Sequence, residues 1–175
     1  MQQAAYMNPA ASTDFAALLE GNRRLIFKVA NTYGRGLADV EDLAQEIAAQ
    51  SWRAYPTYDP SRSFSTWLYR IALNVAISWL RTEGPRRRRS VPFEADLHDA
   101  AVNAVDDADD GIRILRGFID SQAALDRALL LLYLEERPNN EIAEILGITA
   151  TNVTTKINRL KERLRAFAEK KHGTG

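Results

Sequence analysis

Apolar residues recur three and four positions apart through most of the chain, a spacing that predicts amphipathic helices. The longest such stripe comprises Val153, Ile157, Leu160, Leu164 and Phe167, which are spaced four, three, four and three residues apart. No segment shows the sustained alternation of apolar and polar residues that is typical of strands. We therefore predict an all-α fold.

A tight turn between two helices is predicted within residues 138–165. Gly147 lies where the first helix must end, a position that often requires positive φ. Asn139 or Asn140 is expected to cap this helix, and Thr149 the next one. The pattern is typical of a helix-turn-helix whose second helix enters the DNA major groove. Two amphipathic helices joined by a glycine also occur in bundles that bind no DNA, so that alternative stays open.

The first half of the chain predicts three further helices. The first runs from about residue 14 to Tyr33, and the second starts at Asp39. The third opens at Thr66 and is expected to end at Gly84-Pro85, because proline and its preceding residue disfavour helix.

Four segments follow from these patterns. A charged stretch without periodicity, residues 85–110, is too long for a connection inside a compact domain. We therefore predict two small helical domains, 13–84 and 111–170, joined by a flexible charged linker, with the helix-turn-helix in the second domain. Residues 1–12 are predicted to form a disordered lead.

Charge is balanced overall but segregated along the chain. The 175 residues contain 23 basic and 23 acidic side chains, whereas residues 149–172 hold seven basic residues and two acidic ones. Four consecutive arginines at 86–89 form a second basic block, and six aspartates follow between residues 96 and 110. Such segregation is expected when separate surfaces bind separate partners.

Composition excludes several classes of function. The chain has no cysteine and two histidines, so thiolate metal sites are impossible and a histidine-based catalyst or metalloenzyme is disfavoured. No nucleophile–base pair or phosphate-binding loop can be assembled, and we expect no enzyme activity, cofactor or metal. No apolar run approaches the roughly 20 residues that span a bilayer, and the N-terminus lacks signal-peptide features. We expect a cytoplasmic protein.

Three motifs in order carry a resemblance to a known family. They are DVEDLAQE at Asp39–Glu46, FSTWLYRIALN at Phe64–Asn74 and EIAEILGI at Glu141–Ile148. Together they resemble the bacterial RNA polymerase sigma factors of the extracytoplasmic-function type, over about residues 14–83 and 112–168. The resemblance implies a subunit that binds core RNA polymerase, recognises specific promoters and assists promoter opening. It also implies an anti-sigma factor as a further partner.

The resemblance assigns roles to three sets of side chains. Those implied for core-polymerase binding are Asp42, Gln45, Glu46 and Trp52. Those implied for minus-ten DNA are Ser63, Phe64, Ser65, Trp67, Arg70, Asn74 and Arg81. Those implied for minus-thirty-five DNA are Thr151, Asn152, Thr155, Lys156 and Arg159. Aromatic faces, arginine and asparagine suit unpaired bases and phosphates. Solvation of the acidic face, and core packing of Trp67, are the competing interpretations.

Two other functions compete with this interpretation. A helix-turn-helix repressor or activator that is not a polymerase subunit would explain the C-terminal third, but it leaves the first two motifs without a role. A helical interaction protein without DNA contact is the second. Salt-dependent DNA binding would separate it from the others.

Overall fold

A computed structural model of the chain describes residues 9–90 and 110–172, with side chains for 13–82 and 110–171. All regular elements in these ranges are helical, which confirms the predicted all-α fold. The α-helices are α1 (Pro9–Gly21), α2 (Arg23–Tyr33), α3 (Gly36–Ala54), α4 (Phe64–Ser90), α5 (Asp110–Asp120), α6 (Ala124–Leu134), α7 (Asn139–Leu146) and α8 (Ala150–His172), and a 3-10 turn spans Tyr55–Thr57. None of these helices is long and apolar enough to cross a membrane.

The first domain is built on α2, α3 and α4, which pack against one another. Each helix contributes side chains from the apolar stripe that its sequence predicts. Val29 of α2, Leu43 and Ile47 of α3 and Leu68 of α4 are fully buried. Phe15 of α1 covers one end of this core and packs its ring edge-on against other aromatics of the domain.

The second domain packs α5, α6 and α7 around the long helix α8. Its core includes Phe118, Leu129, Ile142 and Leu160, all buried. The apolar stripe of α8 faces inward as predicted, with its last two positions partly buried. Phe118 contacts the final position of the stripe, Phe167, with 5.6 Å between ring centroids.

The helix-turn-helix consists of α7 and α8, and Gly147 ends α7 at φ 67° as predicted. Thr149 Oγ1 accepts a hydrogen bond from the backbone N–H of Asn152 at 3.1 Å, which confirms the predicted cap of α8. The predicted cap of α7 by Asn139 or Asn140 is wrong. Pro138 already supplies the extended residue before the helix, so Asn139 falls inside the first turn. There its amide donates to Thr154 Oγ1 at 3.0 Å and ties α7 to α8.

Two boundaries near the N-terminus differ from prediction. Helix α1 begins at Pro9, so residues 9–12 are helical rather than part of a disordered lead. The single helix predicted from about residue 14 to Tyr33 is broken at Asn22, whose side-chain amide donates to the Leu18 carbonyl at 2.8 Å. This bond satisfies a carbonyl at the end of α1 and stabilises the break. Residues 1–8 lie outside the described residues.

Two further helix ends also differ. Helix α3 starts at Gly36, where φ is 80°, and Asp39 lies in its first turn. There the Asp39 carboxylate accepts the Arg35 N–H at 3.1 Å. Helix α4 continues past Gly84-Pro85 to Ser90. A proline removes one backbone hydrogen bond, and a long preformed helix can continue through it with a bend. In the rest of the predicted linker, residues 91–109 lie outside the described residues, and Asp110 already belongs to α5.

The two domains pack against each other. Helix α4 contacts both α6 and α7, and α2 contacts α6. The Tyr33 hydroxyl of α2 donates to the Ala124 carbonyl of α6 at 2.7 Å. Burial raises the pKa of Tyr33 above its ordinary value, so this hydroxyl keeps its proton and its donor role. The helical periodicity alone gave no indication of this packing.

Candidate nucleic-acid and polymerase surfaces

One face of α4 carries four of the residues predicted to contact minus-ten DNA. Trp67, Arg70, Asn74 and Arg81 are spaced three, four and seven residues apart, which puts them on one side of a helix. Trp67 is half-buried and the other three side chains are exposed. We call these four residues the α4 face. It presents one aromatic ring, one amide and two guanidinium groups to the same side.

Phe64, also predicted to contact DNA, lies beneath this face. Phe64 is 7% exposed. It lies 5.2 Å from the Trp67 ring and 5.3 Å from the Tyr58 ring, between centroids. Tyr58 and Trp67 are themselves 5.3 Å apart. Phe64 therefore fixes the position of Trp67 and Tyr58 in this arrangement and offers no free ring surface.

The loop before α4 is held in shape by its own polar groups. The Tyr58 hydroxyl donates to the Arg62 carbonyl at 2.8 Å, and the hydroxyls of Ser63 and Ser65 are 2.9 Å apart. The Asp59 carboxylate accepts the Ser61 N–H at 2.9 Å. This hydrogen bond is the main reason that the pKa of Asp59 is lowered. The loop is thus preformed next to the α4 face.

A cavity of about 720 Å³ lies between this loop, the start of α4 and the second domain. We call it the loop cavity; its lining residues are Thr57, Tyr58, Asp59, Arg62, Ser63, Thr66, Trp67, Arg70, Glu144 and Ile145. Sites for small ligands fall in this size range. Tyr58 and Arg62 were missed as candidates. The available signal was their place in the segment YDPSRSFS, where an aromatic residue and an arginine precede the two predicted serines.

The side chains predicted to bind core polymerase lie on α3. Asp42, Gln45 and Glu46 are exposed on one side of that helix, and Glu46 accepts the Gln50 side-chain N–H at 2.7 Å. Trp52 is half-buried, with its ring edge-on to Phe15 at 5.1 Å. The structure thus brings Asp42, Gln45 and Glu46 together as an exposed polar surface. Trp52 lies at its apolar margin.

The residues predicted to contact minus-thirty-five DNA lie in the first half of α8. At 100° per residue, all five fall within an arc of roughly 140°. Thr151, Asn152, Thr155 and Arg159 are exposed and Lys156 is half-buried. Their arc does not overlap the buried stripe of Val153 and its successors, and half-buried Lys156 lies at the edge next to that stripe. The structure therefore brings all five predicted side chains to one side of α8.

Two acidic side chains of the second domain contact residues that line the loop cavity, which the sequence pattern did not indicate. Glu144 of α7 pairs with Arg62 at 2.8 Å, and Glu141 accepts the Thr66 hydroxyl at 2.7 Å. Within the described residues, no group of three or more histidine or carboxylate side chains is arranged to hold a metal ion. The polar and aromatic groups that line the cavity are hydroxyls, aromatic rings, guanidinium groups and the carboxylates of Asp59 and Glu144.

Comparison with known families places two matches along the chain. Residues 18–86 match the model of sigma-70 region 2, which covers α2, α3, the loop and most of α4. Residues 124–164 match the model of sigma-70 region 4, which covers α6, α7 and most of α8. The α3 surface and the α4 face lie in the first match. The five α8 residues lie in the second.

Two individual sigma factors are similar to this chain in sequence along most of its length. The chain is 27% identical over 165 residues to the ECF RNA polymerase sigma factor SigW of Bacillus subtilis, with 86% of this chain and 87% of SigW covered. It is 28% identical over 180 residues to the ECF RNA polymerase sigma factor SigE of Mycolicibacterium smegmatis, with 92% of this chain but only 64% of SigE covered.

A solved structure shares the fold. The sigma factor RpoE of Bartonella quintana, crystallised with the anti-sigma factor NepR, superposes with a TM-score of 0.65 at 18% identity, covering 89% of this chain and 97% of RpoE. A repressor or activator that is not a polymerase subunit is not favoured, because the first domain matches region 2. With region 2 and region 4 matched in chain order, the chain belongs to the sigma-70 family as an RNA polymerase sigma factor of the extracytoplasmic-function type.

Proposed function

We propose that this chain binds core RNA polymerase and directs it to specific promoters, where it assists strand opening. It acts as a specificity subunit without a catalytic centre, cofactor or metal of its own. Its place of action is the cytoplasm, where polymerase and promoter DNA are found. The observation that carries the proposal is the α4 face, which borders a preformed loop cavity in the domain that matches region 2.

Polymerase docks on the acidic and amide surface of α3. Asp42, Gln45 and Glu46 are exposed together and suit a basic partner surface. Docking leaves the α4 face free to meet DNA, because the two surfaces lie on different helices.

Unpaired minus-ten DNA binds at the loop cavity. A base released from the duplex stacks on Trp67 or Tyr58, and Asn74 contacts a base edge. Arg70 and Arg81 bind phosphates. Unstacking costs a few kcal/mol, and insertion into a preformed site offsets part of that cost. Ser63, which lines the cavity, and Ser65, whose hydroxyl is hydrogen-bonded to that of Ser63, supply hydroxyls to the bound strand.

Duplex minus-thirty-five DNA binds α8. The readers are Thr151, Asn152, Thr155, Lys156 and Arg159, all on one side of the helix. Arginine and lysine favour guanine acceptors and asparagine favours adenine. An anti-sigma factor is the expected regulator, as RpoE of similar fold is bound by one.

Reconstitution tests the proposal. Core RNA polymerase, purified without sigma factor, is mixed with this chain and a randomised promoter library, and transcripts are sequenced. Initiation at a defined pair of elements is expected. Failure to form a complex with core polymerase at micromolar concentration would refute the proposal. Glu46→Lys should weaken that complex, whereas Glu20→Lys, an exposed glutamate on α1, should not.

A further inference from the structure

A hydrogen bond between two exposed side chains joins the helices of the helix-turn-helix. The Asn139 amide, at the start of α7, donates to Thr154 Oγ1, in the second turn of α8, at 3.0 Å. The two residues lie 15 positions apart in the sequence, and both are exposed. We call this hydrogen bond the α7–α8 clamp.

The hydroxyl of Thr154 makes a second hydrogen bond, within its own helix. It donates to the Ala150 carbonyl, one turn back along α8, at 3.1 Å. A threonine hydroxyl has one hydrogen to donate and two lone pairs that accept, so the bond to Ala150 leaves a lone pair for the Asn139 N–H. The clamp therefore connects Asn139 through Thr154 to the backbone of the first turn of α8.

The apolar contacts between α7 and α8 restrict the rotation of α8 less than the clamp does. Ile142 and Ile145 of α7 and Val153 and Ile157 of α8 are buried. Burial of apolar area has no preferred direction, whereas a hydrogen bond weakens steeply as its angle bends. At a helix radius of about 5–6 Å including side chains, a rotation of about 10° moves a side-chain tip by about 1 Å. That displacement exceeds the range of roughly 0.5 Å within which N–H···O distances fall.

Thr154 lies outside the arc of side chains that we assign to minus-thirty-five DNA. At 100° per residue it is about 60° beyond Thr151, which is at the nearer edge of that arc. Its hydroxyl is also occupied by Asn139 and Ala150. A rotation of α8 would nevertheless displace all the readers together, because they share one helix: Thr151, Asn152, Thr155, Lys156 and Arg159.

We propose that the α7–α8 clamp sets the rotation of α8 and thereby aligns the five readers with the base edges of the major groove. Asn139 and Thr154 are then positioning residues for promoter recognition, and neither contacts a base. This rests on the proposed function, because the ligand is duplex minus-thirty-five DNA. Loss of the clamp weakens base preference at several base pairs at once, whereas loss of one reader weakens it at one base pair.

Base preference is measured with the holoenzyme on a promoter library whose minus-thirty-five element is randomised, by sequencing the bound fraction. Asn139→Ala and Thr154→Val each remove the clamp, and valine keeps the shape of threonine. Each variant should lower the preference for the favoured base about fivefold at more than one base pair. Thr154→Ser keeps the hydroxyl and should keep the preference of the unchanged chain. Thr155→Ala removes one reader and should affect one base pair.

A double variant distinguishes positioning from a direct contact with DNA. If both residues act through one hydrogen bond, Asn139→Ala with Thr154→Val should lose no more preference than either single variant. Additive losses would mean that Asn139 binds DNA itself, and they overturn the proposal. Asn140→Ala, at the exposed neighbour of Asn139, is the control and should leave base preference unchanged.

Thermal unfolding separates positioning from folding. Because the clamp is exposed, the melting temperature of each variant should stay within about 3 °C of that of the unchanged chain. A larger fall in the clamp variants would assign the hydrogen bond to folding and overturns the proposal.

The clamp itself is tested in the free chain, without DNA or polymerase. In a ¹⁵N-correlated NMR spectrum, the signals of the Asn139 side-chain amide should shift in Thr154→Val and stay in place in Thr154→Ser. Signals that are identical in the unchanged chain and in Thr154→Val overturn the proposal, because no clamp then forms in solution. The proposed function fails separately. An unchanged holoenzyme without preference at any minus-thirty-five base pair refutes that function as well, whereas clamp variants that keep a full preference refute the positioning alone.

Discussion

The guanidinium of Arg137 lies 5.0 Å from the centre of the Tyr69 ring, across the boundary between the two domains. Arg137 is 25% exposed and also pairs with Glu141 at 2.7 Å. Tyr69 is almost fully buried and donates its hydroxyl hydrogen to Glu135. Burial, together with the neighbouring Glu135 carboxylate, raises the pKa of Tyr69, so the hydroxyl remains a donor at any pH near neutrality.

Arg137→Ala should loosen the domain interface. The change removes a cation–π contact and a partly buried ion pair, and it leaves Glu141 with one donor fewer. Together these losses should lower the free energy of unfolding by about 1–2 kcal/mol, discounted for partial exposure. Urea unfolding followed by circular dichroism measures this. Arg116→Ala, at an exposed arginine of α5, is the control and should change stability by less than about 0.5 kcal/mol.

The interface should weaken in acid. The pKa of Glu135 in the folded chain is below its ordinary value of 4.5. Its contribution to the free energy of unfolding is therefore fully present above pH 4.5, and it is lost as the pH falls through the lower folded-state pKa. The charged and titratable groups facing it are Lys28 of α2, Tyr69 of α4 and Arg137. Titration of the interdomain distance from neutral pH downward should show opening below 4.5. In Glu135→Gln the opening below pH 4.5 should disappear. Opening that persists in this variant would show that a group other than Glu135 causes it.

Gly147→Ala should destabilise the second domain through backbone strain alone. Gly147 has φ 67°, and among the described atoms none lies within 4 Å of a Cβ added there. The left-handed conformation costs a non-glycine residue about 1–2 kcal/mol, and we expect the melting temperature to fall accordingly. Gly21→Ala is a matched control, since its surroundings are equally open and no positive φ is involved. A variant as stable as the control would show that the turn adapts.

The helices and the turn at Gly147 could be predicted because local chemistry determines them. Apolar spacing sets which face of α8 is buried, and a lone glycine between two such stripes marks the end of α7. The end of α1 and the start of α3 could not be predicted in this way. A hydrogen bond from the Asn22 side chain determines the end of α1, and a positive φ at Gly36 determines the start of α3. The geometry of the Asn22 side chain is not encoded in the apolar periodicity.

The candidate site was predictable only in part. Motif resemblance led to Trp67, Arg70 and Asn74, and the structure puts them on one face of α4. The contacts of Glu135, Glu141 and Glu144 with the first domain were not predictable, because Glu135, for example, meets Lys28 and Tyr69 across 107 and 66 residues of sequence. In the sequence alone, Glu135, Glu141 and Glu144 are acidic residues in or near the predicted helix-turn-helix, and nothing distinguishes them from solvated side chains.

Arg159→Ala should weaken duplex promoter binding by about 1–3 kcal/mol if the side chain bonds to a base, and it should relax preference at that base pair. The side chain is exposed on the same side of α8 as Thr155 and Asn152. Fluorescence anisotropy with the holoenzyme at several salt concentrations measures both effects. Arg24→Ala, at an exposed arginine of α2, removes the same charge from a helix outside the helix-turn-helix and should leave the sequence preference intact.

Trp67→Ala should impair promoter opening more than docking on core polymerase. The ring contacts Tyr58 and Phe64 and lines the loop cavity, so its loss removes a stacking surface worth about 1–3 kcal/mol per base. Opening is followed by 2-aminopurine fluorescence in the minus-ten element, and docking by binding to core polymerase. Because the same ring supports the aromatic cluster, thermal unfolding must be compared in parallel. Equal losses in opening and docking, or a collapse of the first domain, would assign Trp67 to packing instead of DNA contact.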